Sequence, residues 1–246
     1  MTNQDIYRLL DQKAPFALAE EWDNVGLLIG NPADEVSRVL VALDATPDAV
    51  QAAKAMGADL ILTHHPVIFD PLKTLDSHSV PYMLAAAGIA VISAHTNTDK
   101  ACGGVNDVLA ARLGLTDLRV TEDGFCRIGT LARPTEADTF AKMVADTLDT
   151  AVRTNGGDTI RTVGVCGGSG GDFIAPLAQE IDAFVTGEVR HHQWLEANAL
   201  GVTVLEAGHH ATEVLIVDTL CTWLKEAFPT LAVTAYHAAA PYETVR

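Results

Sequence analysis

The sequence predicts an α/β fold made of duplicated three-layer α/β/α lobes with mostly parallel sheets. Three observations predict it. Short apolar runs of strand length alternate with helix-spaced amphipathic stretches along most of the chain. The order of strand, helix and histidine-bearing strand end occurs in both halves: GADLILTHHP is matched by EIDAFVTGEVRHH, and GIAVISAHTNTD by GVTVLEAGHHATE. Seven of the nine histidines fall at four predicted strand ends, where an open parallel sheet presents its ligand crevice. Two lobes facing each other would bring these ends into one cleft.

Element by element, Asp5 to Ala14 carries Ile6, Leu9 and Leu10 at helical spacing, and Pro15 interrupts it. A charged turn around Glu21-Trp22-Asp23-Asn24 then runs into an apolar, strand-like segment that ends at Gly30. Val39 to Leu43 reads as a buried strand. Thr46 can cap a helix over Asp48 to Met56, with Pro47 at its first position and Gly57 as its stop. Leu60 to Thr63 is the next strand and ends at His64-His65. Pro81 to Ala87 is a helix, Ala90 to Ala94 a strand ending at His95, and Val105 to Leu113 a helix.

The middle differs. Arg127 to Ala132 is strand-like, Thr139 to Leu148 helical, and Asn155-Gly156-Gly157-Asp158 a turn. In the second half, Val163 to Val165 enters a glycine-rich turn and Phe173 to Glu180 is a helix. Ala183 to Thr186 is a strand, Gln193 to Ala199 a helix, Val202 to Glu206 a strand, and Thr212 to Ala227 one long amphipathic helix. The pattern divides the chain into a first lobe at 1–120, a bridging segment at 121–160 and a second lobe at 161–246. The two lobes are expected to form one compact unit.

Bulk properties exclude several classes. No apolar run approaches bilayer length, and the N-terminus lacks the basic and apolar regions of a signal peptide, so a cytoplasmic protein is expected. A net charge of −16 argues against general nucleic-acid binding. The four cysteines form no C-x-x-C pair, which suits reduced thiols better than a disulfide frame or structural zinc.

The histidine stretches are Thr63-His64-His65-Pro66, His95-Thr96-Asn97-Thr98-Asp99, Glu188-Val189-Arg190-His191-His192 and Gly208-His209-His210-Ala211-Thr212-Glu213. Imidazole beside carboxylate is what a divalent metal site needs. His64 and His65 are adjacent, so an ideal strand would send one inward and one outward, whereas a turn at Pro66 would let both face the cleft. His95 and Asp99 are four apart, as are His209 and Glu213, which in a helical turn puts each pair on one face. Either Asp99 or Glu213 can bridge two cations. Glu213 also suits simple capping of the following helix. Asp44, at the end of its strand, is placed to support the metal shell. His191 and His192 suit proton transfer or substrate contact, or are merely exposed at a helix start. The turn holding Gly168, Ser169 and Gly170 offers backbone amides to an anion, but it lacks the P-loop ending, and a tight turn is its simpler use. Trp22-Asp23-Asn24 either lines the cleft or packs.

At these motifs the chain resembles the GTP cyclohydrolase I type 2 homolog family, also called the NIF-three-like family. The resemblance runs nearly end to end. It rests on Glu21-Trp22-Asp23-Asn24-Val25-Gly26, Leu62-Thr63-His64-His65-Pro66, Ala94-His95-Thr96-Asn97-Thr98-Asp99, Gly167-Gly168-Ser169-Gly170 and Gly208-His209-His210-Ala211-Thr212-Glu213. In Gly124-Phe125-Cys126-Arg127-Ile128-Gly129, Cys126 stands where the family usually has glycine. The resemblance implies a toroidal homohexamer and a dinuclear site with His64, His65, Asp99, His209 and Glu213 as ligands and His95 close by. It also implies two divalent ions, with zinc, iron, manganese and nickel all compatible, and a small-molecule substrate. The expected reaction is metal-dependent hydrolysis, with ring opening of GTP and release of formate as the specific form. A two-metal phosphoesterase and a non-catalytic metal-binding scaffold are the alternatives.

Overall fold

The computed structural model describes residues 1–242. In chain order the elements are α1 (Asn3–Lys13), β1 (Gly26–Ile29), β2 (Arg38–Ala42), α2 (Pro47–Met56), β3 (Leu60–Thr63), α3 (Val80–Ala87), β4 (Ala90–Ser93), α4 (Thr96–Lys100), α5 (Val105–Arg112), β5 (Thr116–Val120), β6 (Arg127–Glu136), α6 (Ala137–Leu148), β7 (Arg153–Thr154), β8 (Thr159–Cys166), α7 (Ile174–Leu177), β9 (Ala183–Thr186), α8 (His191–Leu200), β10 (Thr203–Glu206), α9 (His209–Glu213), α10 (Ile216–Ala227) and β11 (Ala232–Tyr236). They group into two compact units. The first is Met1–Gly104 with Ile216–Ala239, and the second is Val105–Leu215 with the described end of the chain.

The first unit holds a five-stranded sheet in the order β1-β4-β3-β2-β11. β4, β3, β2 and β11 are parallel and β1 runs antiparallel at the edge. Alternation along the strands divides the buried side chains between two faces. Leu40, Ile61 and Val91 meet Ala49, Val50 and Ala53 of α2 and Leu84 of α3. α10 covers β2 and β11 and packs against α1. The helix ends follow local chemistry. Thr2 and Asp5 form a reciprocal capping box on α1. Thr46 accepts from the Ala49 amide at the start of α2, and Gly57 closes that helix in the left-handed region.

The second unit holds a six-stranded sheet in the order β5-β6-β8-β9-β10-β7, with β8, β9 and β10 parallel. One face buries Val163, Val165, Val185 and Leu205 against Leu109 of α5 and Phe140 and Val144 of α6. The other buries Ile128, Phe184 and Val204 against Ile174, Leu177 and Ala197. The repeat read from sequence is present: β2-β3-β4 and β8-β9-β10 are parallel runs in the same order, each ending on an antiparallel partner, β1 or β7.

Three sequence expectations are corrected. Residues 121–160 do not bridge two lobes. β6 pairs with β8 in the second sheet and α6 buries Phe140 and Val144 on it, so the segment is core to that unit. The expected helix from Thr212 to Ala227 is two helices, α9 and α10, which belong to different units. α10 is amphipathic and the apolar Val214 and Leu215 precede it without a breaker residue, so periodicity alone reads straight through the break. The expected helix over Phe173 to Glu180 shrinks to a 3-10 turn and the short α7, where Pro176 removes a helix donor. Strand β11, unassigned from sequence, pairs with β2 along its length. Among the described residues no helix is long and apolar enough to cross a membrane.

Candidate metal centre

In the first unit, the chain leaves β3 into a turn whose backbone holds two imidazoles. The amides of His64 and His65 both donate to the Leu43 carbonyl, at 3.2 and 3.0 Å. His64 is completely buried. Its Nδ1–H donates to the Ala94 carbonyl at 2.9 Å, with Thr98 Oγ1 3.1 Å away. A carbonyl can only accept, so the proton sits on Nδ1 and Nε2 carries the lone pair. His65 donates through Nδ1 to Asp44 at 2.7 Å, and His95 through Nδ1 to Asp23 at 3.0 Å. Each of the three residues offers one donor atom, and these atoms lie within 4.8 Å of one another. Asp99 follows His95 by one turn, on α4, and its Oδ1 lies 3.6 Å from His64 Nε2. Adjacent histidines that a regular strand would send to opposite faces therefore share one cluster, because β3 ends before them.

Asp23 is the strut that sequence reasoning left unassigned. Its side chain is inaccessible to solvent and also accepts from the Thr96 amide at 3.0 Å and Thr96 Oγ1 at 2.5 Å. Burial by itself would raise its pKa, but the hydrogen bonds from His95 and Thr96 outweigh it, holding the carboxyl down to about 2. Asp23 is thus a carboxylate at any working pH, and that charge orients the His95 ring. The available signal was the Trp-Asp-Asn triplet, whose acid had no visible partner until residues 23 and 95 were brought together.

In the second unit, His209 and Glu213 lie one turn apart on α9, with Nε2 2.9 Å from Oε2. Glu213 is buried. His209 Nδ1 lies 3.2 Å from Glu188 Oε1, and Ser169 Oγ donates to the other Glu188 oxygen at 2.5 Å. Here too a carboxylate holds Nδ1 and turns Nε2 toward the neighbouring acid. Glu188 had stood in a histidine stretch without a role. A pocket of about 310 Å³ lined by Arg153, Glu188, His209 and Tyr242, among others, opens beside this pair.

The glycine-rich turn does different work from the anion cradle considered above. The amide of Gly167 donates to Asn106, that of Gly168 to Thr212 and that of Gly170 to Thr186, so the amides an anion would use at Gly168 and Gly170 are already engaged by protein oxygens. Their purpose is close approach. A Cβ on Gly168 would lie 2.1 Å from Glu213 Oε1 and 3.2 Å from His209 Nε2, and φ is +60° there. Ser169 contributes through its side chain, by orienting Glu188. His191 and His192 open α8 with both side chains exposed.

Comparison with known proteins places these motifs in a family. The profile of Duf34/NIF3 (NGG1p interacting factor 3) matches residues 1–241. The chain is 37% identical over 236 residues to a Lactococcus lactis protein named GTP cyclohydrolase 1 type 2 homolog, covering 89% of this chain and 91% of that one. It is also 37% identical over 229 residues to a protein of the same name from Streptomyces coelicolor, covering 85% of this chain and 80% of the relative. The solved structure of Staphylococcus aureus protein SA1388 is similar with a TM-score of 0.92 at 28% identity, covering 100% of this chain and 99% of that one.

Proposed function

The chain belongs to the Duf34/NIF3 family, and from that premise we propose that it is a dinuclear, divalent-metal-dependent hydrolase of a small molecule. His64, His65, Asp99, His209 and Glu213 are the proposed ligands of two ions, with His95 beside them. The observation that carries the reading is a shared ring orientation. In all four imidazoles Nδ1 faces a protein acceptor, a carbonyl for His64 and the carboxylates of Asp44, Asp23 and Glu188 for the other three. Histidines that bind metal through Nε2 are held in this way, because the second acceptor fixes the ring and raises its basicity. Histidines that merely pack have no need of three separate carboxylates.

The donor set fits the group. Mixed imidazole and carboxylate ligands suit zinc, iron, manganese and nickel, and two acids among five ligands offset part of the charge of two cations. When bound, such a pair supplies Lewis acidity and a water acidic enough to be a nucleophile near neutral pH. The chain's own residues do the rest. Asp23, Asp44 and Glu188 hold the rings, Ser169 holds Glu188, and Gly168 leaves room for the Glu213 carboxylate. Several relatives are named GTP cyclohydrolase 1 type 2 homolog, so GTP is the first substrate to test, with ring opening and release of formate as the proposed reaction. A homohexamer is part of the same proposal.

The test has two parts. Metal content of purified protein should reach about two ions per chain and fall sharply in His64→Ala and Glu213→Ala while far-ultraviolet circular dichroism stays unchanged. Metal-loaded protein incubated with GTP should release formate. Unchanged metal in both variants rules out the ligand assignment. Release of phosphate without formate would move the reading to phosphoester hydrolysis.

A further inference from the structure

We propose that Trp22 and Phe69 form a ring-binding face beside His95, so that the substrate of the centre carries a planar aromatic heterocycle. The inference rests on the metal-centre reading and adds the part of the substrate that is recognised. Trp22 is 58% exposed and Phe69 49%. Their ring centroids lie 5.8 Å apart with planes tilted by 43°, and the Trp22 ring stands edge-on to His95 at 6.2 Å. Two large aromatics that touch each other and remain in water forgo burial that would have stabilised the fold.

Their placement is also engineered by polar contacts. Three consecutive residues divide the task. Trp22 supplies a ring. Asp23 ties the turn to His95 and to Thr96. Asn24 donates its side-chain amide to the Ile68 carbonyl at 2.6 Å, which fixes the segment that carries Phe69. The Glu20 amide donates to Thr96 Oγ1 at 3.0 Å and its carboxylate pairs with Lys100, so the turn is anchored on both sides of Trp22. A surface aromatic that only covers its neighbours needs neither strut. A pair of splayed rings locked to a candidate ligand histidine is suited to a flat π system, which stacks on one ring and meets the other at an angle. The competing occupant is a second copy of this chain covering the same exposed apolar residues.

The test uses the full, metal-loaded chain with two probes, GTP and inorganic triphosphate, which carries a similar anionic tail but no ring. Binding is read by calorimetry and by tryptophan fluorescence; Trp223 is buried and Trp22 is the most exposed reporter. GTP should quench wild-type emission and bind more tightly than triphosphate. Trp22→Ala should abolish the quench and weaken GTP binding by about 5- to 150-fold, the range for loss of one stacked base. Phe69→Ala should weaken it less, and Trp22→Phe should recover most of the affinity. Triphosphate binding and metal content should not change. Wild-type GTP affinity in Trp22→Ala overturns the proposal, as does a wild type that prefers GTP no more than triphosphate. Dissociation of an oligomer in Trp22→Ala or Phe69→Ala, with GTP affinity intact, assigns the face to a second copy and overturns it as well. The two readings separate cleanly. Full metal content in His64→Ala together with lost GTP binding in Trp22→Ala sinks the metal assignment and leaves the ring face standing.

Discussion

Replacing Gly168 by alanine tests the second-unit donors without touching any donor atom. The added methyl carbon would stand 2.1 Å from Glu213 Oε1, roughly 1 Å closer than carbon and oxygen tolerate. Either the carboxylate or the loop must move by about that much. The loop is tethered by amide donations to Asn106, Thr212 and Thr186, so the Glu213 side chain is the part that yields. Metal–ligand distances are tolerated within about ±0.2 Å. A 1 Å displacement therefore removes a ligand in effect, and we expect a loss in metal affinity on the order of 100-fold, or about 2.7 kcal/mol. Alanine in the left-handed region carries a backbone cost of about 1–2 kcal/mol as well. Gly201 separates the two contributions: its φ is +73° and nothing lies within 4 Å of a Cβ built there. Gly201→Ala should lower thermal stability by a similar backbone amount and leave metal affinity untouched. Gly168→Ala should do both. Competition with a fluorescent chelator gives the affinities and scanning calorimetry the stabilities. Gly168→Ala protein that binds metal as tightly as Gly201→Ala would refute the placement of Glu213 as a ligand.

Glu188→Gln and Asp44→Asn each keep a hydrogen-bond acceptor but remove the charge behind His209 and His65, and each should weaken metal binding by about 10- to 100-fold in the same competition assay; equal loss of folding and of binding would mean a structural role only. Phe140→Ala empties a fully buried site against β8 and should cost about 3–5 kcal/mol in denaturant unfolding, with metal content unchanged at low denaturant. Burial pushes the Cys221 thiol up to about 11 from an ordinary value of 9.0. It is therefore protonated at pH 8, and a thiolate-specific reagent should leave buried Cys221 unmodified in native protein while exposed Cys102 is accessible to it. Because the folded pKa is the higher one, the stability Cys221 contributes is complete below about pH 9 and is lost as the pH rises toward 11. A His191→Ala, His192→Ala double variant should retain its metal, since both side chains are exposed.

Local chemistry wrote much of this protein. The caps at Thr46 and Gly57, the parallel strands at 39–43, 60–63, 90–94, 183–186 and 202–206, and the repeat of strand, helix and histidine could be read from residue type and period. So could the grouping of His64, His65 and His95, because neighbouring parallel strands end side by side. What could not be read depends on contacts far apart in the chain. Nothing local says that Ala232–Tyr236 will lie along β2, that an amphipathic stretch will break at Val214-Leu215, or that 121–160 will join the second sheet. The supports of the site are of the same kind. Asp23 reaches His95 across 72 positions and Glu188 reaches His209 across 21, and a glycine is required at 168 only because the Glu213 carboxylate fills the space where its side chain would be. Periodicity and propensity act over a few residues. The proton on an imidazole is set by whichever acceptor the completed fold brings against it.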